Sequence, residues 1–297
     1  MTQYRIEDCT EEQVDADRVI EVLAVIESIV PDPAAVELVI TGSKDATIER
    51  LNPGSVRPRL VGVAEGTTVE SSQGQVSIVL PCWTLLAETP PYPETTHTVA
   101  HEAFHVVTSQ RGERLNYLAE RHPGDAQARV LAPVAAKMIE EYRVERAAIE
   151  SGHAPLEERR ASLDGTLDDF RRHLRVAASP AAYRADEQRT LRTCLSVFAE
   201  IAEELGKVIA ADLASAGEKA PTTHGASWER LIDGSYGELC DALGMVPSAA
   251  VATERAVLEL YASDLIPVIA KWMRSAGLAT GDDGDGGLML GLVRSDF

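Results

Sequence analysis

The chain has 297 residues, 45% of them apolar and 25% charged. This is enough to bury a substantial core, and it excludes a disordered polypeptide. Asp and Glu number 47 against 28 Lys and Arg, a formal charge of −19 that repels a phosphate backbone and excludes nucleic acid as the main partner.

From Glu11 to Ile29, apolar positions at Val14, Val19, Ile20, Leu23, Ile26 and Ile29 recur at helical spacing until Pro31 and Pro33 end the run. Val36–Ile40 reads as a short strand and Asp45–Leu51 as a short helix before Asn52-Pro53-Gly54. Arg59–Val63, Val69–Ser71 and Gln75–Leu80 read as antiparallel strands, the last two joined across Ser72-Gln73-Gly74. A Pro-rich connection (Pro90, Pro91, Pro93) leads to a helix capped by Thr95 or Thr96 and stopped at Gly112.

Beyond Gly112 strand patterns vanish. A short helix is expected at Glu113–Glu120, then a long one capped by Asp125 and running to about Glu150. Further helices are expected at Leu167–Ala177, Ala185–Leu213, Ser227–Leu243 and Ala249–Ser275, with a loop at Ala214–His224. The acidic tail Gly281–Gly287 lacks the closing Glu of a calcium loop and reads as an acidic turn. The expected fold is α+β: a small, mainly antiparallel sheet packed on the helix around His101, then a large all-helical region. Residues 1–150 would form the first domain and 151–297 the second. Cys9, Cys82, Cys194 and Cys240 are widely spaced, without a paired motif, and suit reduced thiols. No leader or apolar span of about 18 residues is apparent, so a cytoplasmic protein with no membrane partner is expected.

The chemistry concentrates at His101-Glu102-Ala103-Phe104-His105. Histidines at i and i+4 share one helix face and can converge on one metal ion, while Glu102 can reach a metal-bound water without being a ligand. Val99, Ala100, Val106 and Val107 flank the motif, so its helix should be buried. The competing reading is a core helix whose two histidines are simply hydrogen-bonded. His97, one turn earlier, either supports the site or lies exposed in the first turn.

Two histidines hold Zn²⁺ poorly, so a third ligand is required. The spacing that continues with Gly at 108 and His at 111 fails, because Thr108 and Arg111 stand there. On the later helix Leu131, Val134, Met138, Glu141, Glu145 and Ala148 share a stripe, so two carboxylates interrupt an apolar face. A buried carboxylate needs a cation or a strong donor. Glu141 is therefore the expected third metal ligand, and Glu145 its neighbour that orients a ligating His. Glu140 is the substitute, aligned with Lys137 and Arg143 nearer the solvent. Surface ion pairing of Glu140, Glu141 and Glu145 with Lys137, Arg143 and Arg146 is the bland alternative.

His101–His105 with Glu141-Tyr142-Arg143-Val144-Glu145 resembles the zinc metallopeptidases of the zincin group, in the gluzincin-like arrangement. The resemblance covers about residues 75–150, and Glu145 stands where the group usually has Asp. It implies a zincin-like fold, bound Zn²⁺, a peptide or protein substrate lying along the edge strand Gln75–Leu80, and hydrolysis with Glu102 as general base. His224, Tyr142 and Tyr117 are the expected oxyanion donors. The same two-His-one-carboxylate set also describes non-haem Fe²⁺ oxygenases; a 2-oxoglutarate co-substrate would then want an Arg, for which Arg143 is placed. A non-catalytic regulatory module on this scaffold is the third reading.

Overall fold

The computed structural model describes residues 1–54, 66–71, 74–87, 94–115, 118–122, 125–154, 158–214, 225–282 and 288–293. The chain divides into two compact units, Met1–Gly112 with Ala147–Leu156, and Glu113–Arg146 with Glu157–Phe297.

In the first unit β1 (Gln3–Glu7), β2 (Val36–Thr41), β3 (Thr67–Glu70) and β4 (Val76–Pro81) form a sheet in the order β1-β2-β4-β3. The expectation of a mainly antiparallel sheet is corrected. β1 pairs with β2 and β2 with β4 in parallel, and only β3 runs antiparallel to β4. Two connections give this pattern: α1 (Ala16–Ile29) carries the chain back between β1 and β2, whereas α2 (Lys44–Leu51) is followed by β3, which runs opposite to β2, and the return from β3 into β4 restores the direction of β2. Between β3 and β4 the chain turns directly back, with the Ser71 amide donating to the Gln75 carbonyl at 2.8 Å and Gly74 at φ 79°. Central strands covered on both faces must be apolar throughout, and Leu38, Val39, Ile40, Ile78 and Val79 are fully buried.

β1 was not foreseen, because its half-exposed residues carry no apolar run. The expected strand Arg59–Val63 lies outside the described residues. β4 is an inner strand rather than the sheet edge, since β2 and β3 take up its two sides. Among the described residues the edge on that flank is β3. α1 starts at Asp15, whose carboxylate accepts from the amides of Asp17 and Arg18. It packs against α3 (Thr95–Gln110).

The second unit holds most of α4 (Ala126–Glu150), capped as expected by Asp125, which accepts from the Ala128 amide at 2.8 Å. Of the helix expected at Glu113–Glu120, residues 113–115 are not helical and a 3-10 turn covers Leu118–Arg121, while residues 116 and 117 lie outside the described residues. α5 (Glu158–Ala177) is followed by α6 (Pro180–Ala185) and α7 (Glu187–Ala214), the break falling at Asp186, whose carboxylate accepts from the Arg189 amide. α8 (Ala226–Leu231) and α9 (Asp233–Gly244) replace the single helix expected there, and α10 (Arg255–Ala276) starts six residues later than its pattern suggested. Phe198 of α7 meets Trp272 of α10 edge to face at 5.5 Å, and the Trp272 indole donates to the Leu231 carbonyl at 2.7 Å.

The second half is not all helical. Gly277, at φ 122°, ends α10 and releases a hairpin of β5 (Leu278–Asp282) and β6 (Leu288–Leu292). The acidic run Gly281–Gly287 begins in this hairpin, and residues 283–287 are outside the described set. No helix among the described residues is long and apolar enough to cross a membrane.

Candidate metal centre

α3 is buried on nearly its whole circumference from His97 to Thr108, as the flanking Val and Ala residues required. Thr95 is its first helical residue rather than its cap. The carbonyl of Glu94 takes the first bond, from the Thr98 amide at 2.8 Å. The helix stops at Gly112, whose φ of 68° suits glycine. The i, i+4 spacing brings His101 Nε2 and His105 Nε2 to 3.2 Å, with ring centroids 5.0 Å apart. Tetrahedral ligands about 2.05 Å from zinc stand roughly 3.4 Å from one another, so the two nitrogens are already spaced as neighbouring ligands.

Glu102 lies beside them, 9% exposed. The Thr68 hydroxyl on β3 lies 2.8 Å from Glu102 Oε2 and 3.0 Å from the Glu102 carbonyl, and donates its one proton here. The backbone makes room for this contact at Gly66. A Cβ there would stand 2.8 Å from the Thr98 methyl and 3.1 Å from Glu102 Cγ. Thr68 and Gly66 had no sequence signal, because they belong to a segment more than 30 residues away from the motif.

His97 is buried, which settles its position against an exposed first turn. Its Nδ1 lies 2.6 Å from the carbonyl oxygen of His153 and donates to it, leaving Nε2 on the other side of the ring. Burial and the nearby His97 hold His153 below its ordinary value.

On α4, Glu141 and Glu145 are almost fully buried, as their place on the apolar stripe predicts, while Glu140 is half-buried. Glu141 Oε1 accepts from Lys137 at 2.7 Å, and Lys207 on α7 lies 3.6 Å from Oε2. Burial pulls the Lys137 ammonium down, but Glu141, Glu203 and Glu140 more than offset it, and the group sits above its ordinary range. Gly206 lets α7 approach α4 at this turn: a Cβ would fall 2.6 Å from the Met138 carbonyl oxygen and 3.4 Å from Glu141 Cβ. Lys207 and Gly206 were not foreseen, since nothing in a helical repeat says which neighbour it will meet.

His101, His105 and Glu141 form a buried cluster whose ligand atoms all lie within 4.8 Å of one another, and which can hold a metal ion. His97, His101 and Glu145 form a second such group. Glu140 stands in neither, so of the two neighbouring carboxylates it is Glu141 that joins the histidines. Two imidazoles and one carboxylate suit zinc and ferrous iron alike.

Arg143 is not on the solvent side. It is 2% exposed, donating to Glu113 at 2.7 Å and to the Pro247 carbonyl at 3.0 Å. Tyr142 is fully buried, and its hydroxyl accepts from Arg146 at 2.7 Å. His224 and Tyr117 lie outside the described residues. No protein-family model, no curated protein and no solved structure matches the chain.

Proposed function

We propose that this chain is a zinc-dependent metallohydrolase acting on peptide or amide bonds. The observation that carries the reading is the convergence of His101, His105 and Glu141 within 4.8 Å, with a buried carboxylate, Glu102, next in sequence to the first histidine. His101, His105 and Glu141 would hold the ion. Bound zinc supplies a Lewis acid that polarises a carbonyl and acidifies water.

Glu102 takes a proton from the attacking water and hands it to the leaving amine. Thr68 steadies that carboxylate by donating to Oε2, which limits its rotation and fixes where the proton is received. Lys137 and Lys207 set positive charge beside the Glu141 carboxylate, which favours the charged form that a ligand needs. A peptide is the favoured substrate because β3, the outer strand on its flank among the described residues, carries Thr68. A segment added to that edge would run beside the proposed base.

The oxygenase reading loses its anchor for 2-oxoglutarate, because the Arg143 guanidinium is occupied by Glu113 and Pro247. The test is metal analysis of protein purified without added metal, followed by turnover of a quenched peptide library by wild type and Glu102→Gln. Stoichiometric zinc is expected, with Glu102→Gln keeping its zinc and losing roughly 10²–10⁴-fold in turnover. Stoichiometric iron with turnover requiring 2-oxoglutarate and O₂ would overturn the hydrolase. Wild-type biological activity in Glu102→Gln would point instead to the non-catalytic module.

A further inference from the structure

We propose that His97 is a positioning residue that clamps the end of α4 onto α3 and thereby sets the register of the metal ligands. The proposal rests on the metal-centre reading above. α4 ends in a turn built around Gly152, at φ 92°, where the Ser151 amide donates to Ala147 and the His153 amide to Ala148, both at 3.0 Å. These bonds, with that of the Gly152 amide to the Ile149 carbonyl, satisfy the carbonyls of Ala147, Ala148 and Ile149. His97 Nδ1 donates to the His153 carbonyl oxygen at 2.6 Å, from a ring that is 2% exposed. The bond is costly to lose on the His97 side, since its ring is buried while His153 is half-buried.

The geometry makes this bond a reference point for the ligands. From His97 the chain rises along α3 through His101 to His105, about 12 Å at 1.5 Å per residue. From the C-terminal end of α4 back to Glu141 the rise is about 13.5 Å on the same measure. α4 is one continuous helix, so a clamp at its end would fix how far back along its own axis Glu145 and Glu141 are carried. His101 belongs to both candidate groups, with His105 and Glu141 in one and with His97 and Glu145 in the other. Slippage of α4 by one residue would carry Glu141 about 1.5 Å along its axis and 100° around it, out of reach of the ion. The histidines of α3 thus divide their work, two to hold the metal and one to hold the helix that brings the third ligand.

The experiment is zinc competition against a chromophoric chelator, run with metal-free wild type, His97→Ala, His97→Asn and Gly152→Ala, with thermal melts of each metal-free protein. His97→Ala is expected to weaken zinc binding roughly 10- to 100-fold, the range typical of a lost partner outside the ligand set. His97→Asn, whose amide nitrogen falls near the place of Nδ1 and can donate to the His153 carbonyl, is expected to recover to within about threefold of wild type. Gly152→Ala strains the cap from the other side without touching an imidazole, and is expected to weaken zinc in the same direction. Wild-type affinity in His97→Ala would overturn the clamp. So would loss of zinc that Asn does not rescue combined with unchanged binding in Gly152→Ala, the result expected if His97 were itself a ligand. Should His97→Ala not fold, the Gly152→Ala and His97→Asn arms decide alone. A wild-type chain that binds no zinc would overturn the metal centre itself and the clamp's role with it.

Discussion

Gly206→Ala probes whether the close approach of α7 to α4 is what seats Glu141. The added methyl would start 2.6 Å from the Met138 carbonyl oxygen, whereas such contacts are essentially never under 3.0 Å, so α7 must withdraw by at least 0.4 Å. Two effects oppose each other. Alanine is a better helix former than glycine by about 1 kcal/mol, and overpacking of a tight contact costs about 1–3 kcal/mol. The net change alone is therefore small and ambiguous, which is why a control is needed. Gly237 lies exposed in the middle of α9, and a Cβ added to it would meet nothing within 4 Å, so Gly237→Ala should show the helix gain by itself. Urea denaturation of the two variants should place Gly206→Ala about 1–3 kcal/mol below Gly237→Ala, the difference being the clash. Because the withdrawal also draws Lys207 away from Glu141, zinc affinity measured by chelator competition should fall several-fold in Gly206→Ala and stay unchanged in Gly237→Ala. A Gly206→Ala protein stabilised as much as Gly237→Ala, with wild-type zinc affinity, would refute the packing argument.

Thr68→Val, which removes the donor to Glu102 Oε2, should lower kcat roughly tenfold with zinc affinity intact, and Thr68→Ser should restore it; loss of zinc in the valine variant would contradict the assignment. Arg143→Met strands the buried Glu113 carboxylate and should cost about 3–5 kcal/mol in urea melts, of which the double variant with Glu113→Gln should recover part. Glu7 is held below its ordinary 4.5: burial pushes it up, but Arg50, Arg5 and Thr47 together outweigh burial. Its contribution to stability is therefore present above that ordinary value and is lost as pH falls through the lower folded value. Melting temperatures taken between about pH 3 and pH 6 should show a steeper acid decline for wild type than for Glu7→Gln, and equal slopes would count against it.

Local signals in the chain reached a long way. The 3.6-residue period put His101 and His105 on one face and Glu141 and Glu145 on the buried stripe of α4, and both are buried as that spacing requires. The cap at Asp125 and the strand ending at Pro81 also follow from short-range chemistry. Strand direction did not, because an apolar run has the same pattern whether its neighbour is parallel or antiparallel; the connections decide it, α1 between β1 and β2, and the reversal from β3 into β4 on the way from β2 to β4. Arg143 was misplaced for a related reason. Periodicity treats a guanidinium as a solvent-facing group, and only a tertiary partner such as Glu113 makes its burial tolerable.

The metal-binding residue types, their spacing along each helix and the buried face on which they lie are thus properties of the chain alone, since they depend on helical geometry within one segment. Which distant groups meet them is a property of the folded molecule. Thr68 reaches Glu102, Lys207 reaches Glu141 and the His153 carbonyl reaches His97 across 34, 66 and 56 residues. Such meetings depend on how whole elements pack, and packing is set by the summed burial of many residues rather than by any short motif.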